Sequence, residues 1–264
     1  MRFLAACASC LLVPAAFASD FDCLIEAYEM VDIRSPVEAI IESIPVRRGD
    51  LVTKGQVIVT LDAAAERAAL DLARARATMQ GELKAAEARL ELARKKMARA
   101  EDLYKQNFIS ATARDEAEAE FKLATEQVRQ AKETKELAEL EARRSSELLA
   151  LRTVRSPFTG VVVEKLQSPG EMATTNINQP ILKLANVNPL HVEVVMPVSL
   201  YGNIKAGMIG EVVPEKPIPG KYSATVTVVD RVVDAASGTF GVRLELPNPQ
   251  GTIPAGVKCK VRFG

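Results

Sequence analysis

The middle of the chain carries the most regular pattern of small, apolar and polar positions. Between Ala63 and Ala150 there is no proline and only one glycine, Gly81. Small and apolar residues recur there at spacings of three and four, as in helices that bury one stripe. The alternation breaks between Met79 and Leu83, like a coiled-coil stutter. The pattern predicts two helices that form an antiparallel coiled-coil hairpin over residues 63–151, with an alanine-rich seam.

The hairpin is predicted to turn at about residues 105–112. Asn107 suits the left-handed conformation that often ends a helix, and Ser110 or Thr112 can cap the helix that follows. Each arm then has about 40 residues and extends roughly 60 Å at 1.5 Å per residue. An arm of that length indicates reach toward a distant partner.

The two segments beside this helical region resemble each other. Each starts with Arg-Ser-Pro, at Arg34 and Arg155, and has a glycine followed by an acid fifteen residues later, at Gly49 and Gly170. β-Branched residues between turn signals predict short strands in both copies. Because neither copy can bury its apolar face alone, the two are expected to pack as one pseudo-symmetric β-sandwich. Four glycines are expected at its turns: Gly49, Gly55, Gly160 and Gly170.

Short strands return after the sandwich, separated by turns rich in proline and glycine. Their regular spacing predicts a small antiparallel barrel over residues 188–264. The expected fold class is therefore α+β and mainly β. Residues 19–62 supply an N-terminal strand and the first half of the sandwich, and residues 152–187 supply the second half. The hairpin is inserted between the two halves, and the barrel follows.

The first residues have the pattern of an export signal. Arg2 precedes an apolar run from Phe3 to Phe17, and Ala16-Phe17-Ala18 fits a small-x-small cleavage site. We therefore expect residues 1–18 to be a cleavable signal peptide. A retained anchor is the alternative, although the run is short for a membrane span.

Cleavage would leave two cysteines, Cys23 and Cys259, near opposite ends of the mature chain. In an oxidising compartment, one hypothesis is a disulfide that joins the first and last strands. Two separately buried thiols are the alternative, because sequence alone does not give connectivity.

Composition argues against several classes of function. The 34 basic and 34 acidic residues give a net charge of zero, and without a basic tract nucleic acid is not an expected partner. His191 is the only histidine, which leaves little for a Ser-His-acid triad or a multi-histidine metal site. We expect no enzyme activity, no cofactor and no metal site.

With its elements in this order, the sequence resembles the periplasmic adaptor, or membrane fusion protein, family, which is HlyD-like and includes the adaptors of resistance-nodulation-division efflux pumps. The first half of the sandwich is similar to a split lipoyl motif at Ser35-Pro36, Gly49-Asp50 and Lys54-Gly55. The second half has an apolar-Arg-x-Pro-Phe-x-Gly pattern at Val154–Gly160 that is similar to the family's.

The resemblance implies an adaptor subunit of a tripartite efflux or secretion system. Such a subunit links an outer-membrane channel to an inner-membrane transporter of the resistance-nodulation-division or ABC type. It also implies a hexamer in the periplasm that is associated with the cell envelope.

The resemblance further implies a contact site at the hairpin tip. Family members that dock tip-to-tip on an outer-membrane channel carry an arginine, a leucine four residues later and a serine seven further on. The matching residues here are Arg99, Leu103 and Ser110. The alternative is that these are an ordinary surface arginine, a seam leucine and a helix cap.

Two other functions fit parts of the sequence. A structural coiled-coil scaffold without a transport partner would need the same hairpin. A lipoyl or biotin carrier would need a modified lysine between the two sandwich halves, but Asp62-Ala63 stands there and leads into the helices.

The sequence departs from the family pattern in the first copy, which has Glu38-Ala39 where many family members have a glycine.

Overall fold

The computed structural model describes residues 20–263, which form a barrel, a sandwich and a helical hairpin. The predicted signal peptide lies outside the described residues. The strands are β1 (Phe21–Ile33), β2 (Ala39–Ser43), β3 (Leu51–Val52), β4 (Val57–Leu61), β5 (Thr153–Arg155), β6 (Gly160–Lys165), β7 (Met172–Ala173), β8 (Leu182–Pro197), β9 (Ile209–Pro214), β10 (Tyr222–Val229), β11 (Thr239–Leu246) and β12 (Val257–Phe263). The helices are α1 (Ala64–Thr78), α2 (Gly81–Lys105) and α3 (Ala111–Ala150), and a 3₁₀ turn covers Val198–Leu200.

Six antiparallel strands form the barrel in the order β1-β12-β9-β10-β11-β8, and pairing between β1 and β8 closes it. Alternate residues of these strands form one buried apolar cluster that includes Ile25, Leu190, Leu244 and Val261. Burial of one strand face explains why buried and exposed residues alternate along these strands. The barrel takes β1, the predicted N-terminal strand, from the segment before the hairpin. β1 closes the barrel because it pairs with β12 on one side and with β8 on the other.

The sandwich consists of two sheets with matching strand orders, β5-β4-β2-β7 and β1-β8-β6-β3. Under the sequence repeat, β2, β3 and β4 correspond to β6, β7 and β8. In each sheet the short edge strand comes from the other copy, because β7 pairs with β2 and β3 pairs with β6. A second buried apolar cluster contains residues of both sheets, including Ile41 and Val162.

Equivalent hydrogen bonds join the two copies of the sequence repeat. The Gly49 amide donates to the Val162 carbonyl at 2.8 Å, and the equivalent Gly170 amide donates to the Ile41 carbonyl at 2.9 Å. Each copy therefore completes the sheet of the other, which is why neither half is a folding unit by itself.

The glycines of the two copies have different roles. Gly49, Gly55 and Gly170 have φ values of +89°, +83° and +89°, a region that glycine adopts without steric cost. Gly160 is instead the first residue of β6, so its assignment to a turn has to be corrected. A Cβ atom there would lie 2.3 Å from the carbonyl oxygen of Ala185 in β8. The glycine is needed because the two strands approach closely.

The helical hairpin has three helices rather than the two that the sequence predicted. α1 and α2 form the first arm and pack on the unbroken α3. The break falls at Met79 and Gln80, where the apolar spacing of the sequence changes register. At the base of the hairpin, Arg152 forms an ion pair with Glu66 of α1.

Candidate docking site at the hairpin tip

A helix-ending motif fixes the backbone at the tip. Asn107 is in the left-handed conformation with φ of 58°. The Phe108 amide donates to the Leu103 carbonyl and the Asn107 amide donates to the Tyr104 carbonyl, both at 2.9 Å. This is the bonding pattern of a Schellman motif, which satisfies carbonyls at the end of α2.

Ser110 begins the second arm. Its hydroxyl oxygen accepts a hydrogen bond from the Ala113 amide at 3.2 Å, so Ser110 rather than Thr112 is the N-cap of α3. This bond does not use the hydroxyl proton, so the Ser110 hydroxyl can still donate a hydrogen bond. Asp115, which could have closed a capping box with Thr112, pairs with Arg114 instead.

The three residues predicted for channel contact all lie near the tip, on both sides of the turn. Arg99 and Leu103 are one helical turn apart on α2 and share a face. The Arg99 side chain is exposed, and its Nε donates to the Lys95 carbonyl at 3.2 Å. Leu103 is 42% exposed. Ser110 lies across the turn, and the described side chains show no hydrogen bond that joins it to Arg99.

The tip carries an apolar group that sequence reasoning missed. Phe108 follows the left-handed Asn107 and is 73% exposed, although it is a large aromatic side chain. Its position directly after a helix-ending asparagine could have placed it at the tip, but the sequence does not give its exposure. Leu103 and Phe108 are thus both exposed at the end of the molecule farthest from the sandwich.

A cation–π contact and an ion pair stabilise the packing of the two arms next to the tip. The Arg114 guanidinium lies 4.8 Å from the centre of the Tyr104 ring, which joins the start of α3 to the end of α2. A hydrogen bond to Asp115 and its negative charge raise the pKa of Arg114. Arg114 therefore stays charged while it braces the two arms.

Other features of the described chain lie away from the tip. Cys23 of β1 and Cys259 of β12 are directly paired across the strands and form a disulfide. A groove of about 1280 Å³ beside it is lined by both acidic and basic side chains. Two of them, Asp20 and Arg262, form an ion pair that lowers the pKa of Asp20, chiefly through its hydrogen bond. The groove is therefore not suited to a ligand of one charge.

Across residues 20–263, no three His, Cys, Asp or Glu side chains come together as ligands for a metal ion. Within the same residues, no helix has the length and apolar character that crossing a membrane requires.

Comparison with known proteins places this architecture in a family. The family described as CzcB-like, barrel-sandwich hybrid domain matches residues 29–186, which is more than half of the chain. The chain is 28% identical over 242 residues to the multidrug resistance protein MdtE of Escherichia coli, covering 87% of this chain and 60% of MdtE. It is 30% identical over 211 residues to the cobalt-zinc-cadmium resistance protein CzcB of Cupriavidus metallidurans, covering 80% of this chain and 38% of CzcB.

A solved structure has the same fold. The crystal structure of MacA from Actinobacillus actinomycetemcomitans superposes with a TM-score of 0.79 at 20% identity, covering 94% of this chain and 79% of MacA. The chain spans about three fifths of the length of MdtE. The family match and the shared architecture together confirm the resemblance of the sequence: the chain belongs to the periplasmic adaptor, or membrane fusion protein, family, in its CzcB-like group.

Proposed function

We propose that the protein is the periplasmic adaptor subunit of a tripartite efflux or secretion system, without catalytic activity, linking an outer-membrane channel to an inner-membrane transporter. The observation that carries this proposal is the hairpin tip. A Schellman motif and a serine cap hold its backbone, Leu103 and Phe108 are exposed there, and the cation Arg99 lies one helical turn from Leu103. Apolar groups held rigidly in this way lose little entropy when they are covered by a partner.

The partner at the tip is proposed to be another helical tip, that of the channel. Helix ends expose carbonyl oxygens that need donors, and Arg99 and the Ser110 hydroxyl can both donate. Leu103 and Phe108 supply the apolar contact. The same residues on an isolated scaffold would leave two large apolar groups permanently in water.

Self-association into a ring, as in a hexamer, is also proposed. The exchange of edge strands produces two equivalent exposed apolar side chains, Leu51 on β3 and Met172 on β7, which are 68% and 56% exposed. They lie on the free edges of the two different sheets. A contact between unlike edges of neighbouring copies is heterologous, and a heterologous contact that closes gives a ring. Leu51→Asp should then lower the oligomer mass seen by light scattering, whereas Val232→Asp on the barrel should not.

The finer description of the chain is part of the same proposal. Residues 1–18 would be a signal peptide that directs export to the periplasm. Residues 19–62 would be an N-terminal strand and the first half of a split lipoyl-like sandwich, and residues 152–187 its second half. The hairpin of residues 63–151 would wind as a coiled coil, and residues 188–264 would form the barrel domain that engages the transporter. That transporter would be of the resistance-nodulation-division or ABC type.

The proposal is tested by co-purification from cross-linked cells with a C-terminal tag. The wild type should bring down both an outer-membrane channel and an inner-membrane transporter. Arg99→Asp should reduce recovery of the channel at least tenfold and leave the transporter unchanged. Arg89→Asp is the matched control, because Arg89 is also exposed on α2 but lies about 15 Å nearer the base. If the wild type recovers neither membrane protein, the scaffold function replaces the adaptor.

A further inference from the structure

The first arm of the hairpin is interrupted at one place. Met79 is extended, with ψ of 126°, and Gln80 has φ of −121°. The Met79 amide donates to the Arg76 carbonyl, and the regular bonds of α2 start with the Lys84 amide. Among the described residues, the amides of 81–83 form no backbone hydrogen bond back to α1. No hydrogen-bond ladder therefore connects α1 to α2.

At the same level, the described seam contains no buried side chain. No residue of the first arm between Ala73 and Ala86, and none of α3 between Ala131 and Ser145, is buried in the described structure. The two stretches face each other, since the arms are antiparallel and Lys96 pairs with Glu120 nearer the tip. The seam here contains only half-buried side chains: Ala77, Leu83, Lys135, Ala138 and Ala142.

One of these side chains is a charged residue at a seam position. Lys135 occupies α3 where an apolar residue would be expected, and its ammonium group pairs with Glu139 at 3.5 Å. A lysine in a helical seam lowers stability because its charge must stay hydrated. By contrast, the seam nearer the tip buries Ala86, Val128 and Ala131 together.

We infer that the hairpin is jointed: the part beyond Gln80 bends on the part next to the sandwich, with Met79 and Gln80 as the hinge and α3 as the flexible strap. Bending changes two backbone residues of the first arm, breaks no hydrogen bond there and uncovers no buried side chain. On the other side, an unbroken helix such as α3 tolerates gentle curvature.

The distance that the tip moves follows from the length of α2. Its 25 residues extend about 37 Å, so a bend of about 15° moves the tip by about 10 Å. The inference does not depend on the proposed function, since it concerns the free protein. It would let a fixed tip surface meet partners that are not aligned with the sandwich.

Double electron–electron resonance measures the distance between two nitroxide labels. The test applies it to the purified mature protein with its native disulfide intact. One pair, at Arg74 and Arg89, straddles the joint. The control pair, at Glu87 and Asp102, has the same sequence separation but lies within α2. All four side chains are exposed. The straddling pair should give a wider distance distribution than the control pair, and equal widths would show that the break is static.

Hydrogen exchange supplies an independent measurement on unlabelled protein. Amides of α3 at 134–141 face the joint and should exchange at least tenfold faster than those at 118–125, although both stretches belong to one continuous helix. Uniform protection along α3 would contradict the inference. Lys135→Leu should fill the seam and narrow the distribution of the straddling pair, and an unchanged width would show that the seam does not govern the joint.

Discussion

Asn248 offers a sharp test of how the barrel is held to the sandwich. Its side chain is 3% exposed in the loop after β11. Its amide nitrogen donates to the Val187 carbonyl at 3.0 Å and the Ile253 carbonyl at 2.9 Å, and its oxygen accepts from the Ile253 amide at 3.2 Å. The side chain thus ties the loop to the middle of β8, which both β-structures share.

Asn248→Asp replaces the amide donor with a second carboxylate oxygen and adds a negative charge. The new oxygen would face two carbonyl oxygens that have lost their hydrogen bonds, and each buried unsatisfied carbonyl costs about 1–3 kcal/mol. We expect the free energy of unfolding to fall by about 3–5 kcal/mol at neutral pH. Asn178→Asp is the control, because it adds the same charge on an exposed loop, where surface changes stay within about 0.5 kcal/mol.

The stability of the Asn248→Asp variant should also depend on pH. The two facing carbonyls favour the protonated carboxyl, so its pKa in the folded variant should lie above the unfolded value of about 3.9. Below about pH 4 both states are protonated and the charge adds no penalty. The stability difference from wild type should therefore widen as pH rises above 4. Urea unfolding of the wild type and both variants at several pH values measures it, and a loss below about 1 kcal/mol that does not change with pH would refute the argument.

Three further predictions concern single structural features. Replacing Cys23 and Cys259 together with serine should lower the free energy of unfolding by about 2–5 kcal/mol, as measured by urea unfolding; two free thiols in the native non-reduced protein would contradict the disulfide. Gly160→Ala should cost at least about 2 kcal/mol because its Cβ meets a backbone oxygen, whereas Gly81→Ala, which meets nothing within 4 Å, should not destabilise. Ser110→Ala should cost about 1 kcal/mol at the start of α3 and speed hydrogen exchange there, whereas Ser110→Asp should retain the cap.

The internal repeat and the helical pattern made much of the architecture predictable. The Arg-Ser-Pro and glycine-acid spacings locate equivalent strands, and three- and four-residue spacings locate the hairpin. The exchange of β3 and β7 between sheets could not be predicted in the same way. It depends on pairing between residues more than 100 positions apart, such as Leu51 with Val161, which local periodicity does not contain.

The tip was predicted in part. Asn107 as the helix end follows from local backbone preferences and holds in the structure, and of the two predicted caps, Ser110 and Thr112, the structure uses Ser110. Phe108 was missed because an isolated aromatic in the sequence does not indicate whether it will be covered. Gly160 was misplaced for a related reason, since the close approach of β8 is visible only in three dimensions. The channel-contact roles of Arg99, Leu103 and Ser110 stay predictions.

The most direct test of the adaptor proposal is photo-cross-linking in living cells from two positions on one face of α2. A photoreactive amino acid at Leu103 reports on the tip, and one at Leu92, which is also exposed, reports on a site about 16 Å nearer the base. We predict that Leu103 cross-links to an outer-membrane channel and that Leu92 does not. Equal channel cross-linking from both positions, or none from Leu103, would contradict docking through the tip.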